Sequence, residues 1–456
     1  MPRRTAHYEM DMTQGPLLGK IIRFSIPLIL TGLLQLLYNA ADIVVVGRFA
    51  GSNALAAVSS TSALINVFVY LFMGLSMGGS VLVAREYGAG NMKGVSEMVH
   101  NAIALAIVSG LLAGALGMAL CRPMLELMGS PEEVREMSVL YLKIYFAGSL
   151  FNMLYNFGAA ILRAVGDTRR PMYYLTLSGV VNVALNLLFV LGLRMSVAGV
   201  ALATVASQAL SAVLVLGRLL HAESAIRLRL SKLRIQKDRL ISQLKIGFPA
   251  GLQATISAGA NVLLQSAVNS FGADVMAGNG ASGNIEGFIF VVMHAFYTAV
   301  LTFTSQNVGA KKPERIGRIM LLCQLCSAVA SFVLCMAAHA FGPQLLGLYS
   351  TNPNVVEMGM VRMSIICSTY FLCGVMDTFV GGLRGMGNSL VPMFIYITGA
   401  CVFRIIWIYG VFPFHRTLPF LYLCWPISWI ITGSAQAVCF LITKKRLTNR
   451  LQLETA

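Results

Sequence analysis

The fold is decided by a stretch that occurs twice, as LRAVGDTRRPM at residues 162–172 and as LRGMGNSLVPM at residues 383–393. The two copies lie 221 residues apart. The chain is therefore predicted to contain two copies of one architecture. Two further pairs keep nearly the same offset: FSIP (24–27) with IGFP (246–249), and REYGAGNMK (85–93) with QNVGAKKPE (306–314).

Between these repeats the chain is strongly apolar. Hydrophobic residues make up 57% of the 456 residues and charged residues only 11%, whereas a soluble domain carries roughly a quarter charged residues. Apolar runs of about 20 residues match the length that a helix needs to cross a bilayer. We therefore predict an all-α polytopic membrane protein with twelve transmembrane helices. The predicted spans are 22–47, 54–83, 95–121, 138–162, 171–193, 197–219, 245–271, 282–306, 319–342, 360–383, 390–412 and 419–442.

The repeats and the spans together predict two six-helix lobes. Because six is an even number, both halves insert with the same orientation, related by a pseudo-twofold axis along the membrane normal. The predicted domains are an N-terminal lobe at 1–220, a cytoplasmic linker at 221–243 and a C-terminal lobe at 244–456. Such duplication is typical of carriers that work by alternating access, and a receptor or a membrane enzyme rarely needs it.

Basic residues set the orientation of these spans. With the N-terminus inside, 26 Lys and Arg fall on the cytoplasmic side and five on the outside. This bias predicts that both termini are cytoplasmic. It also explains the net charge of +16 without a nucleic-acid partner.

A carboxylate, Asp42, lies inside the first span, where a charge costs about 3 kcal/mol on insertion scales. Asn182 and Asn186, one helical turn apart in the fifth span, and Thr204 in the sixth are expected at similar depths. Carboxylate, amide and hydroxyl oxygens suit a small hard cation. We therefore predict a site for Na⁺ or a proton, with Asp42 and Asn186 as the candidate Na⁺ ligands. The alternative is that the amides and the hydroxyl only connect neighbouring helices.

The second half does not repeat this cluster, because the offset places Phe403 opposite Asn182 and Trp407 opposite Asn186. Its ionisable residues inside spans are instead candidates for ion coupling or for substrate contact. These candidates are Asp377, Arg404 and Glu286.

Two of these residues, Asp377 and Arg404, are candidates for an ion pair, the less costly way to bury both charges, although their expected depths differ by about 10 Å. For Glu286 a structural role near the mouth of the lobe is an equal expectation. Lys143 and Arg362, close to the outer ends of their spans, are expected to extend to the membrane interface.

Motifs of other functions are missing from the sequence. No Walker motif or HExxH occurs, and the one match to GxSxG, GLSMG at 74–78, lies inside a predicted span rather than on a strand-to-helix turn. ATP-driven transport and protease or esterase chemistry therefore lack support. The single CxxC, Cys323 to Cys326, lies in an apolar span without a second pair. We therefore expect no enzymatic activity and no cofactor other than the transported ion.

In combination, these motifs resemble the multidrug and toxic compound extrusion (MATE) family. The resemblance is carried by the opening GPLLGKIIRFSIPLIL…LLYNAADIVVVGRFAGSNALAA, the paired stretches at 162–172 and 383–393, and the two halves of six spans. It covers residues 15–442. It implies a V-shaped antiporter of a prokaryotic inner membrane, which expels amphipathic, often cationic compounds in exchange for Na⁺ or H⁺.

The resemblance also assigns roles to particular residues. Asp42 matches the first-span carboxylate of the family's N-lobe cation site, and the three residues predicted around it match that carboxylate's partners. Asp377 matches a tenth-span carboxylate that some members use. Some relatives carry an Asp where this chain has Asn186, and others carry a Glu in the seventh span, which has no acid at 251–265. Coupling through the N-lobe is therefore the expectation.

The implied partners are small amphipathic or cationic molecules and the lipid bilayer, and we expect a monomer. The nearest alternative is a flippase for lipids or lipid-linked oligosaccharides of related architecture. A flippase would favour several cationic residues in its cavity, whereas Arg404 is the only basic residue deep in a predicted span. A channel would more naturally be an oligomer than a duplicated chain, and an enzyme would favour clustered His or acids.

Overall fold

The computed structural model describes residues 8–128 and 131–453, and this part of the chain is helical without a β-strand. Short π-helical turns extend α1 and α6 and interrupt the segment that follows α13. The α-helices are α1 (Leu17–Val45), α2 (Ser52–Gly88), α3 (Met92–Leu127), α4 (Glu132–Ala147), α5 (Ser149–Ala164), α6 (Arg169–Leu187), α7 (Ser196–Leu220), α8 (Lys237–Asn269), α9 (Ala273–Gly309), α10 (Pro313–Ala340), α11 (Gly342–Gly347), α12 (Pro353–Gly385), α13 (Leu390–Tyr396), α14 (Phe403–Ile406), α15 (Leu418–Tyr422) and α16 (Cys424–Leu453).

Most of these helices are long and apolar enough to cross a membrane. Ten helical segments of the described chain meet that condition, and the pair α4 and α5, bent by 47°, counts as an eleventh span. The predicted span at 245–271 is the one left over, and it falls on α8, whose first turn carries Lys237, Asp238 and Arg239. The prediction of an all-α, multi-pass membrane protein is confirmed.

The stretch that occurs twice forms the same helix end in both copies. In the first copy, the Asp167 N–H donates to the Leu162 carbonyl at 2.9 Å, across Gly166 with a φ of 93°. The second copy repeats this turn around Gly387, with a φ of 90° and a matching hydrogen bond of 3.0 Å. Such an ending places its last residue in the left-handed region, where glycine is favoured because it has no Cβ. The shared letters thus encode one turn.

A second pair of repeated stretches also shares a turn but not a glycine. Gly90 ends α2 with a φ of 73°, and at the equivalent point after α9 stands Lys311 with a φ of 54°. The hydrogen bond that closes this turn measures 3.0 Å in the first copy and 2.9 Å in the second. A residue with a Cβ costs about 1–2 kcal/mol in this conformation. The backbone of the repeat has therefore been kept at the expense of local strain.

The described residues divide into two compact units. The first unit contains residues from 8–11 and 30–255, and the second contains residues from 12–29 and 256–453. Two long helices, α1 and α8, therefore contribute one part to each unit. The predicted boundaries of the lobes at 220 and 244, and the linker between them, stay a prediction.

Polar contacts show how the early part of α8 belongs to the first unit. Arg239 donates to Glu86 and to Glu97, each at 2.9 Å. Further along α8, Gln243 accepts a hydrogen bond from Asn101 at 3.0 Å. The first turns of α8 are therefore held against α2 and α3.

The second unit holds the residues that precede α1 in a similar way. The Met12 N–H donates to Gln306 Oε1 at 3.1 Å, and Lys312 Nζ donates to the Thr13 carbonyl at 2.9 Å. Met12 is fully buried. This short segment is thus part of the unit built mainly from residues more than 200 positions later.

Apolar packing fixes the helices within each unit. In the first, α2, α3, α5 and α7 share a core that includes Val99, Phe157 and Val215. In the second, α9, α10, α12 and α16 meet around Met293 and Met376. Of the helices that carry the polar residues described next, α7 belongs to the first core and α9, α12 and α16 belong to the second.

Candidate functional site

In the first unit, three of the four predicted site residues come together. Asn186 Nδ2 donates to Asp42 Oδ1 at 2.5 Å and lies 3.3 Å from Asn182 Oδ1. Asn186 is fully buried, Asn182 is buried and Asp42 is half-buried. The contact joins α1 to α6 and gives the buried carboxylate a donor.

The sixth predicted span takes part through a residue that sequence reasoning missed. Thr204 Oγ1 donates to the Val200 carbonyl of its own helix at 3.0 Å. Ser207 instead receives a hydrogen bond from Asn182 Nδ2 at 3.4 Å and donates to the Thr204 carbonyl at 2.8 Å. The spacing of three residues, which places Thr204 and Ser207 on one helix face, was the available signal.

One oxygen of this cluster has no partner. Asn186 Oδ1 is buried and accepts no hydrogen bond from the described residues. A buried acceptor without a donor costs about 1–3 kcal/mol. Carboxylate and amide oxygens are ligands of hard cations, so Asp42 and Asn186 are the residues that could hold Na⁺. No three His, Cys, Asp or Glu side chains gather as a metal centre in the described chain, so amide oxygens would have to complete the coordination.

The second unit contains a buried ion pair that the sequence did not predict. Arg362 donates to both carboxylate oxygens of Glu286, at 2.8 and 2.6 Å. Both residues are buried. The expectation that Arg362 extends to the membrane interface is therefore wrong, because a bidentate carboxylate holds it inside the unit. Lys143, the other residue expected at an interface, is exposed.

Neutral groups complete the surroundings of this pair. Arg362 Nη1 donates to Asn279 Oδ1 at 2.7 Å, and the Tyr422 hydroxyl donates to the same oxygen at 3.2 Å. Asn279 in turn donates to Gln265 at 2.8 Å. The guanidinium also lies 5.1 Å from the ring centre of Trp425. Glu286 is thus part of a closed and largely satisfied network, which fits a structural role.

Arg404 has a different environment. Its Nε donates to Ser428 Oγ at 3.2 Å, and its Nη1 donates to Asn261 Oδ1 at 3.3 Å. Within the described chain no ion pair joins it to Asp377. The expected pair of Asp377 with Arg404 is therefore wrong, because the guanidinium points to α8 and α16 rather than to α12.

A family comparison matches both halves of this chain. The MatE family model matches residues 27–188 and again residues 249–409. The two matches begin 222 residues apart and end 221 residues apart, the offsets of the repeated stretches. The duplication read from the sequence is thus also a duplication of the family's unit.

Curated relatives match most of the chain. A probable multidrug resistance protein, YpnP of Bacillus subtilis, is 28% identical over 86% of this chain and 88% of its own length. The FAD transporter of Shewanella oneidensis is 25% identical, over 84% and 86%. The multidrug export protein MepA of Staphylococcus saprophyticus is 23% identical, over 81% and 82%.

Solved structures share the fold. A MOP superfamily transporter from Pyrococcus furiosus has a TM-score of 0.89 at 21% identity and covers 99% of this chain and 100% of its own. An outward-facing multidrug resistance MATE family transporter has a TM-score of 0.88 at 21% identity, with the same coverage. At such identities the likeness concerns the arrangement of the helices alone.

Proposed function

The chain belongs to the MatE family, and from this premise we propose that it is a secondary antiporter that exports amphipathic, often cationic organic compounds. It is a multi-pass membrane transporter and not an enzyme. The exchange ion in this proposal is Na⁺ or H⁺. The relatives named for multidrug resistance and multidrug export support the substrate class.

The observation that carries the proposal is the contact between Asp42 and Asn186. A carboxylate within a membrane span is costly as long as it stays charged and unpaired. A neutral amide donor reduces that cost but does not remove the charge. A bound Na⁺ or a proton would neutralise the charge of Asp42. Asn186 Oδ1, which has no partner among the described residues, could then serve as a further ligand of Na⁺. The cluster is thus suited to alternate between loaded and empty states.

Coupling then follows from unequal affinity. An ion or a drug shifts a two-state equilibrium only by the difference between its affinities for the two states. We propose that ion binding at Asp42, Asn182, Asn186 and Thr204 favours one packing of α1, α6 and α7, and that drug binding favours the other. In this proposal both termini lie in the cytoplasm and the transporter acts as a monomer. Asp377 and Glu286 take no part in ion binding.

The substitution Asp42→Asn tests this proposal. The variant keeps the shape and a hydrogen-bonding group but cannot bind or release a proton and ligates Na⁺ poorly. We expect gradient-driven efflux of ethidium from proteoliposomes to disappear while the variant folds and reaches the membrane normally. Asp377→Asn is the matched control, since it makes the same change within the second unit. Undiminished gradient-driven efflux by Asp42→Asn would contradict the assignment.

The driving ion is identified by applying the two gradients separately. Proteoliposomes with a Na⁺ gradient and no pH gradient, and the reverse, each report one ion. In this proposal the gradient of the coupled ion drives efflux by the wild-type chain, and the same gradient has no effect on Asp42→Asn. If neither gradient drives export but a lipid reporter crosses the bilayer faster in the presence of the chain, the alternative of a flippase replaces the antiporter.

A further inference from the structure

Arg404 is a permanent positive charge inside a predicted span, and it is buried with 5% of its surface exposed. A guanidinium is not deprotonated in proteins. A proton or a cation can neutralise a buried carboxylate, but only an anion can neutralise this group. Among the described residues no carboxylate lies within ion-pair distance of it. The charge therefore lacks the partner that buried arginines normally have.

The hydrogen bonds of Arg404 are long and few. A guanidinium has five N–H donors, and Arg404 uses two of them on neutral oxygens, of Ser428 and Asn261, at 3.2 and 3.3 Å. Its remaining nitrogen, Nη2, donates to no acceptor among the described residues. This donor is therefore left for a bound acceptor. In contrast, Arg362 uses three nitrogens on Glu286 and Asn279 at 2.6–2.8 Å.

The backbone around Arg404 is irregular. It lies in α14, a helix of four residues between the π-helical turns Ile397–Val402 and Trp407–Val411. Departures of this kind inside helices occur frequently at functional sites. The equivalent helix of the first unit, α6, has a single π-helical turn, Leu188–Gly192, after its last residue. The irregular backbone around the arginine is therefore particular to the second unit.

Aromatic rings lie close to the charge. The Arg404 guanidinium is 5.7 Å from the ring centre of Trp425. On the same segment, Trp407 stacks on Phe420 at 5.0 Å and meets Phe403 at 5.8 Å. An arginine beside flat rings and amide groups is suited to a planar aromatic compound with an acidic group.

We propose that Arg404, with Asn261 and Ser428, forms the anion-binding end of a substrate site within the second unit. The substrates are aromatic compounds that carry a carboxylate, a sulfonate or a phosphate. Such compounds extend the substrate range beyond cationic drugs. The binding step can be measured without an ion gradient, and only the direction of transport rests on the proposed antiport.

Two dyes with one ring skeleton and opposite charges test this site. Carboxyfluorescein is the anionic probe and rhodamine 123 the cationic one, and binding to the full chain in nanodiscs is measured by fluorescence anisotropy without any gradient. Arg404→Gln is expected to weaken carboxyfluorescein binding about ten- to a hundredfold, with Arg404→Lys retaining more affinity. Rhodamine 123 binding is expected to stay the same or to tighten.

Arg416→Gln is the matched control, because it removes the same charge from an exposed arginine after the same segment. It is expected to leave both affinities unchanged. Failure of the wild-type chain to bind carboxyfluorescein would overturn the proposal, and so would equal weakening of both dyes by Arg404→Gln. Should Arg404→Gln not fold, the wild-type chain decides: naphthalene-2-sulfonate must displace carboxyfluorescein at lower concentration than tetraphenylphosphonium does.

Asp42→Asn separates this inference from the antiport. Because the proposed coupling links Asp42 to drug binding, Asp42→Asn is expected to change the affinities for both dyes by the same factor, whereas Arg404→Gln weakens only the binding of carboxyfluorescein. Loss of gradient-driven efflux in Asp42→Asn with an unchanged preference between the two dyes supports both proposals, whereas intact efflux with an unchanged preference contradicts only the antiport.

Discussion

The two units solve the problem of a charge in the membrane in opposite ways. In the first, the charge is the carboxylate of Asp42, bonded to the amide of Asn186. In the second, the charge of Arg404 is bonded to a hydroxyl and an amide. The duplicated turns show that the backbone was kept while the polarity of the buried groups diverged. Under the two proposals, these copies of one architecture bind ligands of opposite sign.

The largest effect is expected at the ion pair of Arg362 with Glu286 in the second unit, where two buried charges neutralise each other. Glu286→Gln leaves Arg362 buried without its carboxylate, so the free energy of unfolding is expected to fall by about 3–5 kcal/mol. Thermal unfolding of the purified chain, monitored by gel filtration and intrinsic fluorescence, measures the loss. If the pair instead served substrate contact alone, stability would stay unchanged and only transport would fall.

A surface pair supplies the control for that measurement. Arg122 and Glu136 form an ion pair at 2.8 Å, but their side chains are 49% and 65% exposed. Glu136→Gln is expected to change the free energy of unfolding by about 1 kcal/mol or less, because water screens an exposed pair. Equal losses in Glu286→Gln and Glu136→Gln would show that burial does not distinguish the two pairs.

The first unit is tested by removing the amide rather than the acid. Asn186→Ala deletes the donor to Asp42 and the unpartnered oxygen together, and we expect the rate of ion-driven efflux to fall about ten- to a hundredfold. Dye efflux from proteoliposomes provides the measurement. Asn156→Ala is the control, since among the described residues Asn156 bonds only within its own helix, to Asn152. Equal rates in the two variants would remove Asn186 from the proposed cluster.

The smallest effect is expected at the left-handed position of the shared turn, where the first copy has Gly90 and the second has Lys311. Lys311→Gly places glycine at a φ of 54°, so we expect the free energy of unfolding to rise by about 1 kcal/mol. The reciprocal change, Gly90→Lys, is expected to lower it by a similar amount. Chemical unfolding in detergent compares the two variants. A fall in the free energy of unfolding for Lys311→Gly, or a rise for Gly90→Lys, would contradict the strain assigned to Lys311.

Much of this architecture was predictable because it depends on the order and spacing of residues along the chain. Span lengths, the repeat and the position of glycine in the turn LRAVGDTRRPM are read along the chain. The contact between Asp42 and Asn186 was also within reach, since the rise per helical residue converts sequence position into depth. Agreement in depth predicted that these residues share a layer, and in the structure the side chains of Asp42 and Asn186 meet.

Rotation about the helix axis was not predictable in the same way. Arg362 was placed near a membrane interface by its depth, but its helix turns it towards Glu286 inside the unit. Opposite charge suggested an ion pair of Arg404 with Asp377, but the helix of Arg404 directs its side chain to Ser428. Depth limits which residues share a layer, and tertiary packing decides which of them face each other.

The division of α1 and α8 between the two units has a consequence for biosynthesis. Residues 12–29 are synthesised before residues 30–255, yet the rest of the unit to which they belong begins only at residue 256. The first unit likewise stays unfinished until residue 255 has been synthesised, well after its seventh helix ends at Leu220. Domains usually fold in the order of their synthesis. In this protein the second unit's first piece must wait in the membrane, so a nascent chain released early leaves both units incomplete.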